Sequence, residues 1–138
     1  MPISILIVDG QPAVGQNLKR KIGTIEEFTV IGEVKSFGEA VVEVLSSKPD
    51  VVLIDLDLPE KNGVELTKEL TEKAPEVNVL LLAGDNDQQN ISKIIKAGAL
   101  GYILRDSDPQ TLRAAITAVA NGEAYIQSCL LTKLINEF

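Results

Sequence analysis

The sequence predicts an α/β fold: a doubly wound, five-stranded parallel sheet with helices on both faces, plus a short C-terminal helix. Two observations predict it. Short apolar runs alternate along the chain with stretches whose apolar residues recur at helical spacing. The connections between them are short, and repeated strand–helix units of this kind specify a parallel sheet. Because such connections are right-handed, the carboxyl ends of all five strands are expected at one edge.

Five segments are predicted to be strands. They are Ile3–Val8, Phe28–Val34, Val51–Ile54, Val77–Ala83 and Ala99–Leu104. The third is an uninterrupted apolar run, which is typical of a strand buried on both faces of a parallel sheet.

The segments between the strands are predicted to be amphipathic helices. The first helix has its apolar residues at Val14, Leu18, Ile22 and Ile25. The second, Phe37–Ser47, has its expected buried stripe at Ala40, Val41, Val44 and Leu45. The third carries Leu66 and Leu70 one turn apart, and Pro75 ends it.

Three further helices follow. Apolar residues at Ile91, Ile94 and Ile95 mark the fourth, which is expected to stop at Gly98. Asp108 as the N-cap and Pro109 at the first helical position open the fifth. The apolar residues of Ser128–Phe138 indicate one more short helix.

Composition excludes several classes of function. A chain of 138 residues with 45% hydrophobic residues fits one packed domain, and its apolar runs are too short to span a membrane. The first residues lack a secretory signal, so a cytoplasmic location and no membrane partner are expected. The absence of histidine excludes His-based triads and His-ligated zinc sites, and the single Cys129 cannot form an internal disulfide. The net charge of −7 argues against DNA binding by this chain alone.

Three carboxylates are expected at the carboxyl edge of the sheet. Asp9 follows the first strand, while Asp55 and Asp57 follow the third. Clustered carboxylates repel one another, so such a group usually binds a cation or is tuned for chemistry. Mg²⁺ is the natural cation for one or two carboxylates, and an aspartate can also accept a phosphoryl group as a nucleophile.

Three separated motifs resemble the receiver domains of two-component response regulators. They are ILIVD at residues 5–9, DVVLIDLDLP followed by NG at residues 50–63, and KAGALGYIL at residues 96–104. The segment NGEAY at residues 121–125 is similar to the LuxR/NarL subfamily. The resemblance covers about Ile3 to Ala124 and implies a flavodoxin-like receiver fold. It also implies that Asp55 is the phospho-acceptor, that Asp9 is an acid of the metal site, and that Tyr102 is the aromatic that changes rotamer on activation.

The sequence departs from the family pattern at three positions around Asp55. Gly10 stands where the family has a second acid, Ala83 replaces a Ser or Thr, and Arg105 replaces a lysine. Loss of a carboxylate ligand is expected to leave Mg²⁺ binding weak or absent, even if Asp57 substitutes. Arg105 keeps the positive charge and is expected to form a salt bridge with Asp55 in place of a phosphoryl contact.

Three functions follow from these residues. The favoured one is an atypical receiver that works through protein–protein interaction or dimerisation, with weak or no phosphorylation at Asp55. The second is a conventional receiver that a histidine kinase phosphorylates on Asp55. The third is a haloacid-dehalogenase-type phosphohydrolase, which is suggested by the Asp-x-Asp pattern of Asp55 and Asp57. That motif normally follows the first strand, whereas here it follows the third, so it is weak evidence. The first two readings are not enzymes.

The resemblance also implies partners and a domain division. Residues 1–124 are expected to form the receiver domain and residues 125–138 a linker helix leading to a DNA-binding domain that this chain lacks. The chain is expected to form a homodimer through the helix at residues 88–96, the fifth strand and the helix Pro109–Ala120.

Overall fold

A computed structural model describes residues 2–58, 63–84 and 91–138. Its strands are β1 (Ile3–Val8), β2 (Phe28–Val34), β3 (Val51–Asp55), β4 (Asn78–Ala83), β5 (Gly101–Leu104) and β6 (Tyr125–Ile126). Over these parts of the chain they form one sheet in the order β2-β1-β3-β4-β5-β6, with every neighbouring pair parallel. The predicted five-stranded parallel sheet is confirmed, and the short β6 extends it by one strand.

The register of the strands determines which residues meet at the carboxyl edge. Val8 lies beside Ile54, so Asp9 leaves β1 next to the end of β3. Ala83 lies beside Leu104, and the backbone N–H of Arg105 donates to the carbonyl of Ala83 at 2.8 Å. The residues that follow β1, β3, β4 and β5 are therefore brought to one edge, as the alternation of strands and helices predicted.

Six helices connect and cover the strands in the described residues. They are α1 (Pro12–Gly23), α2 (Phe37–Ser47), α3 (Gly63–Lys73), α4 (Ile91–Lys96), α5 (Pro109–Ala120) and α6 (Ser128–Asn136). The predicted cap of α5 is confirmed, because the side chain of Asp108 accepts a hydrogen bond from the backbone N–H of Thr111 at 2.8 Å. The part of the expected fourth helix at residues 88–90 lies outside the described residues.

Two hydrophobic cores lie on opposite faces of the sheet. One packs α2, α3, α4 and α6 against β3 and β4, and the other packs α1 and α5 against the opposite side chains of the same strands. All five residues of β3 are buried, so its prediction as a strand covered on both faces is confirmed. Helices on both faces complete the doubly wound arrangement.

Some expectations from apolar spacing were wrong. Leu45 was expected in the buried stripe of α2 but is 45% exposed, because only one side of this helix contacts the sheet. Ile25 lies beyond the end of α1, in a turn where its backbone N–H donates to the carbonyl of Ile22. It is still buried, so its apolar character reflects packing of the turn rather than helical periodicity.

The C-terminal residues are part of the packed structure. β6 pairs with β5, and the α6 residue Leu130 is completely buried in the core that α2, α3 and α4 share. Leu134 packs partly buried against the same core. No helix in the described ranges is both long enough and apolar enough to span a bilayer.

Truncation of Leu130 tests how firmly α6 is attached. We expect Leu130→Ala to lower the free energy of unfolding by about 2–5 kcal/mol, since it removes a fully buried side chain and leaves a cavity. The matched control is Leu131→Ala, whose side chain is 41% exposed and should cost less than about 1 kcal/mol. Urea denaturation of both variants measures the difference, and equal losses would show that the contact of Leu130 is not maintained in solution.

Candidate functional site

Asp55 is the last residue of β3 and is completely buried. Its Oδ1 accepts hydrogen bonds from the backbone N–H of Asp57 at 3.0 Å and from Arg105, while no partner for Oδ2 is found among the described residues. Gly63 opens α3 directly against this turn: a Cβ there would lie 3.0 Å from the carbonyl oxygen of Asp55. Asp55 is therefore held by a tightly packed turn and has one oxygen bound and one unbound.

Arg105 forms the salt bridge with Asp55 that the sequence led us to expect. Its Nη2 lies 2.6 Å from Oδ1 of Asp55 and 3.1 Å from Oδ2 of Asp57. The guanidinium lies over Gly84, where an added Cβ would come within 2.8 Å of Nη1. Although burial acts to lower the pKa of Arg105, its bonds to Asp55 and Asp57 raise that pKa further above its ordinary value. The cation is thus permanently charged and fitted between the two aspartates.

The two aspartates beside Arg105 differ in environment. The side chain of Asp57 is 52% exposed, whereas that of Asp55 is fully buried. A pair in water is worth little because solvent screens it, while a buried carboxylate needs a partner. We therefore expect the Arg105–Asp55 contact to contribute more to the free energy of folding than the Arg105–Asp57 contact.

Asp9 does not join this pair but faces Glu33, near the end of β2. Both Asp9 oxygens are buried, and among the described residues neither meets a hydrogen-bond donor if both acids are ionised. Glu33 is bound by Lys19 at 2.9 Å and by Lys35 at 3.6 Å. Burial, followed by the hydrogen bond with Glu33 and the charge of Glu33, raises the pKa of Asp9 to about 7. The hydrogen bond with Asp9, followed by that with Lys19, lowers the pKa of Glu33.

Below about pH 7 the two acids therefore share a proton, which resides on Asp9 while Glu33 carries the charge. Gly15 of α1 makes the contact possible. A Cβ at this position would fall within 2.3 Å of Oδ2 of Asp9 and still closer to Oε2 of Glu33. The helix consequently presents bare backbone where the two carboxyl groups meet.

Glu33 is the residue that reasoning from the sequence missed. The expected cluster included acids after the first and third strands, but not the acid near the end of the second. In the sheet Glu33 lies beside Ile7, so it approaches the same edge as Asp9. The available signal was its position near the carboxyl end of a parallel strand.

The other expected site residues are placed as follows. Ala83 is buried at the end of β4 and has no side-chain hydrogen-bonding group, and Gly10 lies in the turn after β1. Tyr102 is only 1% exposed, so both its ring and its hydroxyl are buried in this structure. Tyr102 belongs to the core on the α4 and α6 side of the sheet.

Comparison with known proteins identifies the family. The family model described as the response regulator receiver domain matches residues 5–117. The chain belongs to this family. A crystal structure of a LuxR-family two-component response regulator from Aurantimonas sp. SI85-9A1 superposes with a TM-score of 0.91 at 28% identity, covering 99% of this chain and 98% of that one. The resemblance to the LuxR/NarL subfamily of receiver domains is confirmed.

Two relatives extend well beyond this chain. The transcriptional regulatory protein DegU of Brevibacillus brevis is 35% identical over 99% of this chain, which spans 58% of DegU. The nitrate/nitrite response regulator protein NarL of Escherichia coli (strain K12) is 32% identical over 94% of this chain, which spans 60% of NarL. The chain thus corresponds to about three-fifths of each relative.

The residues present do not fit the Mg²⁺ ion that receiver domains imply. The described residues contain no group of three or more acidic, His or Cys side chains able to hold a metal ion. Gly10 offers no carboxylate, Asp9 is engaged with Glu33, and Oδ1 of Asp55 is bound by Arg105. A cation placed between Asp9 and Asp55 would also meet the charge of the guanidinium.

Replacement of Asp9 tests the shared proton. The folded-state pKa of Asp9 is about 7 against an ordinary 3.8, so its contribution to stability is full below pH 4 and is lost as the pH rises through 7. The chain has no histidine to obscure this range. We expect Asp9→Asn, whose amide donates to Glu33 at every pH, to remove the decline between pH 5 and 8 and to raise the free energy of unfolding at pH 8 by about 1–3 kcal/mol.

The control is Asp106→Asn, since Asp106 is exposed and should leave the decline unchanged. Thermal or urea unfolding between pH 5 and 8 gives the comparison. A wild-type stability that stays constant over this range would show that Asp9 and Glu33 do not share a proton.

A double-mutant cycle tests the Arg105–Asp55 pair. We expect Arg105→Gln and Asp55→Asn to be coupled by at least about 1 kcal/mol in the free energy of unfolding, because a single replacement breaks a buried pair. The matched cycle of Arg105→Gln with Asp57→Asn should give less than about 0.5 kcal/mol, since Asp57 is half exposed. Equal coupling in both cycles would contradict the assignment of the main contact to Asp55.

Proposed function

We propose that this chain is an atypical receiver domain, which acts as a protein-interaction and dimerisation module with weak or no phosphorylation of Asp55. The observation that carries the proposal is the 2.6 Å ion pair between Arg105 and the buried Asp55. The pair gives Asp55 a permanent positive partner, so the site has no need of a phosphoryl group or a metal to balance its charge.

Several requirements of phosphoryl transfer to an aspartate are unmet around Asp55. The attacking carboxylate must be a nucleophile, and a guanidinium bound to it withdraws electron density. Charge on the transferred group must be stabilised by donors and cations aimed at its oxygens. Ala83 has no hydroxyl to donate, and Arg105 is already bound to the acceptor itself. These features together support weak or absent phosphorylation and weak or absent Mg²⁺ binding.

The arrangement also supports constitutive signalling. In the proposed state Arg105 draws the end of β5 towards Asp55 without phosphate. The backbone bond from Arg105 to Ala83 and the contact of the guanidinium with Gly84 hold it there. The ion pair thereby mimics an occupied pocket.

A conventional receiver is the second candidate, and one observation favours it. Oδ2 of Asp55 has no hydrogen-bond partner in the described ranges, so one oxygen remains for attack on a phosphodonor. In this case a histidine kinase would be the partner and Arg105 would have to leave Oδ1. The phosphohydrolase reading has no such support, because Asp55 ends the third strand of a receiver fold and Asp57 follows it, whereas the phosphohydrolase motif follows a first strand.

For the whole protein, we propose that residues 1–124 form the regulatory part of a transcription regulator and that residues 125–138 lead towards a DNA-binding domain. DNA would then be bound only through that domain. The greater length of DegU and NarL supports this division. We propose homodimerisation on the side of the domain that includes α4, β5 and α5.

A phosphorylation assay tests the proposed function. With Mg²⁺ and a small-molecule phosphodonor, we expect the chain to acquire little acyl phosphate on Asp55, measured by intact-protein mass spectrometry. The triple variant Gly10→Asp, Ala83→Ser, Arg105→Lys restores the missing groups and should be phosphorylated faster by on the order of a hundredfold.

The control adds Asp55→Asn to the triple variant and should carry no phosphate. Stoichiometric acyl phosphate on the unmodified chain, or binding of beryllofluoride at millimolar concentration, would support the conventional receiver instead.

A further inference from the structure

The guanidinium bound to Asp55 is carried by a tight turn, residues 104–107. The backbone N–H of Ser107 donates to the carbonyl of Leu104 at 3.2 Å and closes the turn. The hydroxyl of Ser107, a residue that is only 6% exposed, donates to the same carbonyl at 2.7 Å. Arg105 is the first of the two residues that these bonds enclose. The path of the turn therefore sets the point from which the Arg105 side chain extends towards Asp55.

Two neighbouring elements hold this turn by single hydrogen bonds. On the side of β4, the backbone N–H of Arg105 donates to the carbonyl of Ala83 at 2.8 Å. On the side of α1, Nζ of Lys21 donates to the carbonyl of Ser107 at 2.9 Å. These bonds fix the middle and the end of the turn, while its beginning, at Leu104, is held from the side of β6.

The support on that side is Gln127, the residue between β6 and α6. Its backbone N–H donates to the carbonyl of Tyr102 at 3.1 Å and so continues the β5–β6 ladder. In a parallel ladder the backbone carbonyl of the same residue would next accept from Leu104. That carbonyl instead accepts from the backbone N–H groups of Leu130 and Leu131, at 2.9 and 3.0 Å, as α6 begins. The backbone thus leaves the sheet one hydrogen bond before the end of β5.

The side chain of Gln127 takes the place of its own backbone carbonyl. Its Oε1 accepts from the backbone N–H of Leu104 at 2.8 Å and also lies 3.1 Å from the hydroxyl of Ser107. One oxygen atom therefore contacts both ends of the turn. The Leu104 N–H is partly buried, and a buried N–H without a partner costs more free energy than an ordinary hydrogen bond contributes. Gln127 is consequently well placed to fix the geometry of residues 104–107.

We propose that Gln127 is a positioning residue for Arg105: it completes the edge of β5, fixes the turn and thereby keeps the guanidinium on Asp55. The effect passes through the turn, because Gln127 bonds Leu104 and Arg105 bonds Asp55. A long arginine side chain loses rotamer freedom when it is held in one ion pair, so a fixed backbone favours that single geometry. The proposal deepens the proposed function and rests on it only in taking the Arg105–Asp55 pair as the working state of the site.

The test is Gln127→Met, which keeps the length of the side chain and removes its acceptor oxygen. NMR exchange spectroscopy of the Arg105 Nη groups measures the rotation of the guanidinium, which an ion pair slows, and Arg105→Gln assigns the signal by its loss. We expect Gln127→Met to accelerate this rotation by about threefold to tenfold, the equivalent of one lost hydrogen bond. Ser107→Ala removes the hydroxyl that Oε1 also meets, should act in the same direction, and serves if Gln127→Met does not fold.

The matched control is Asn78→Leu. Nδ2 of Asn78 donates to the carbonyl of Val119 at 2.8 Å, in a similarly part-buried place at the start of β4, the end of that strand remote from Arg105. Its loss should leave the rotation of the guanidinium within about twofold, because distant sites act independently. Rotation in Gln127→Met, or in Ser107→Ala if the former does not fold, that is no faster than in Asn78→Leu overturns the proposal.

A double-mutant cycle gives a second readout. In the Gln127→Met background, the coupling between Arg105→Gln and Asp55→Asn, expressed as a ratio of unfolding constants, should fall by about threefold, whereas Asn78→Leu should leave it unchanged. Equal coupling in the two backgrounds overturns the proposal. Neither readout involves phosphate. Stoichiometric acyl phosphate on the unmodified chain would therefore overturn the proposed function and leave the positioning by Gln127 standing, so the two failures are distinguishable.

Discussion

The burial of Asp55 at the end of β3 is the constraint on which the rest of the site depends. A carboxylate with no exposure to water requires a cation or a set of donors close to it. The chain meets this requirement with Arg105 and the backbone N–H of Asp57. The parallel pairing of β4 and β5 brings Arg105 to the correct edge, and the bare backbone of Gly84 leaves room for the planar guanidinium.

The same edge has a second buried acid, Asp9, whose burial is accommodated in a different way. Asp9 meets Glu33 beside Gly15 and is protonated below about pH 7, while Lys19 and Lys35 balance the charge of Glu33. The negative charges of the two buried acids in this pocket are thus balanced without a ligand: the guanidinium of Arg105 pairs with Asp55, and a proton neutralises Asp9. An incoming dianion or divalent cation would have to displace one of these arrangements.

Reasoning from the sequence predicted the order of strands and helices, the carboxyl edge and the contact of Arg105 with Asp55. Each of these follows from local periodicity, from the handedness of the connections or from charge. It missed Glu33, because that residue reaches Asp9 only through the close approach that Gly15 permits. It also missed β6: two residues carry no readable period, and their strand conformation comes from pairing with β5. The exposure of the Leu45 side chain likewise depends on which face of α2 packs against the sheet.

The pairing of β6 with β5 also affects how the domain meets other chains. An exposed strand edge is a template for uncontrolled pairing with another polypeptide, and in this sheet the short β6 pairs with the edge of β5. At the opposite edge, the register of β2 against β1 shifts by one residue at Ile31, which forms a bulge. A bulge twists an edge strand and interrupts its ladder of free amides and carbonyls. Both edges of the sheet are therefore poor sites for strand addition, which favours association through helices and protects the folded chain from aggregation.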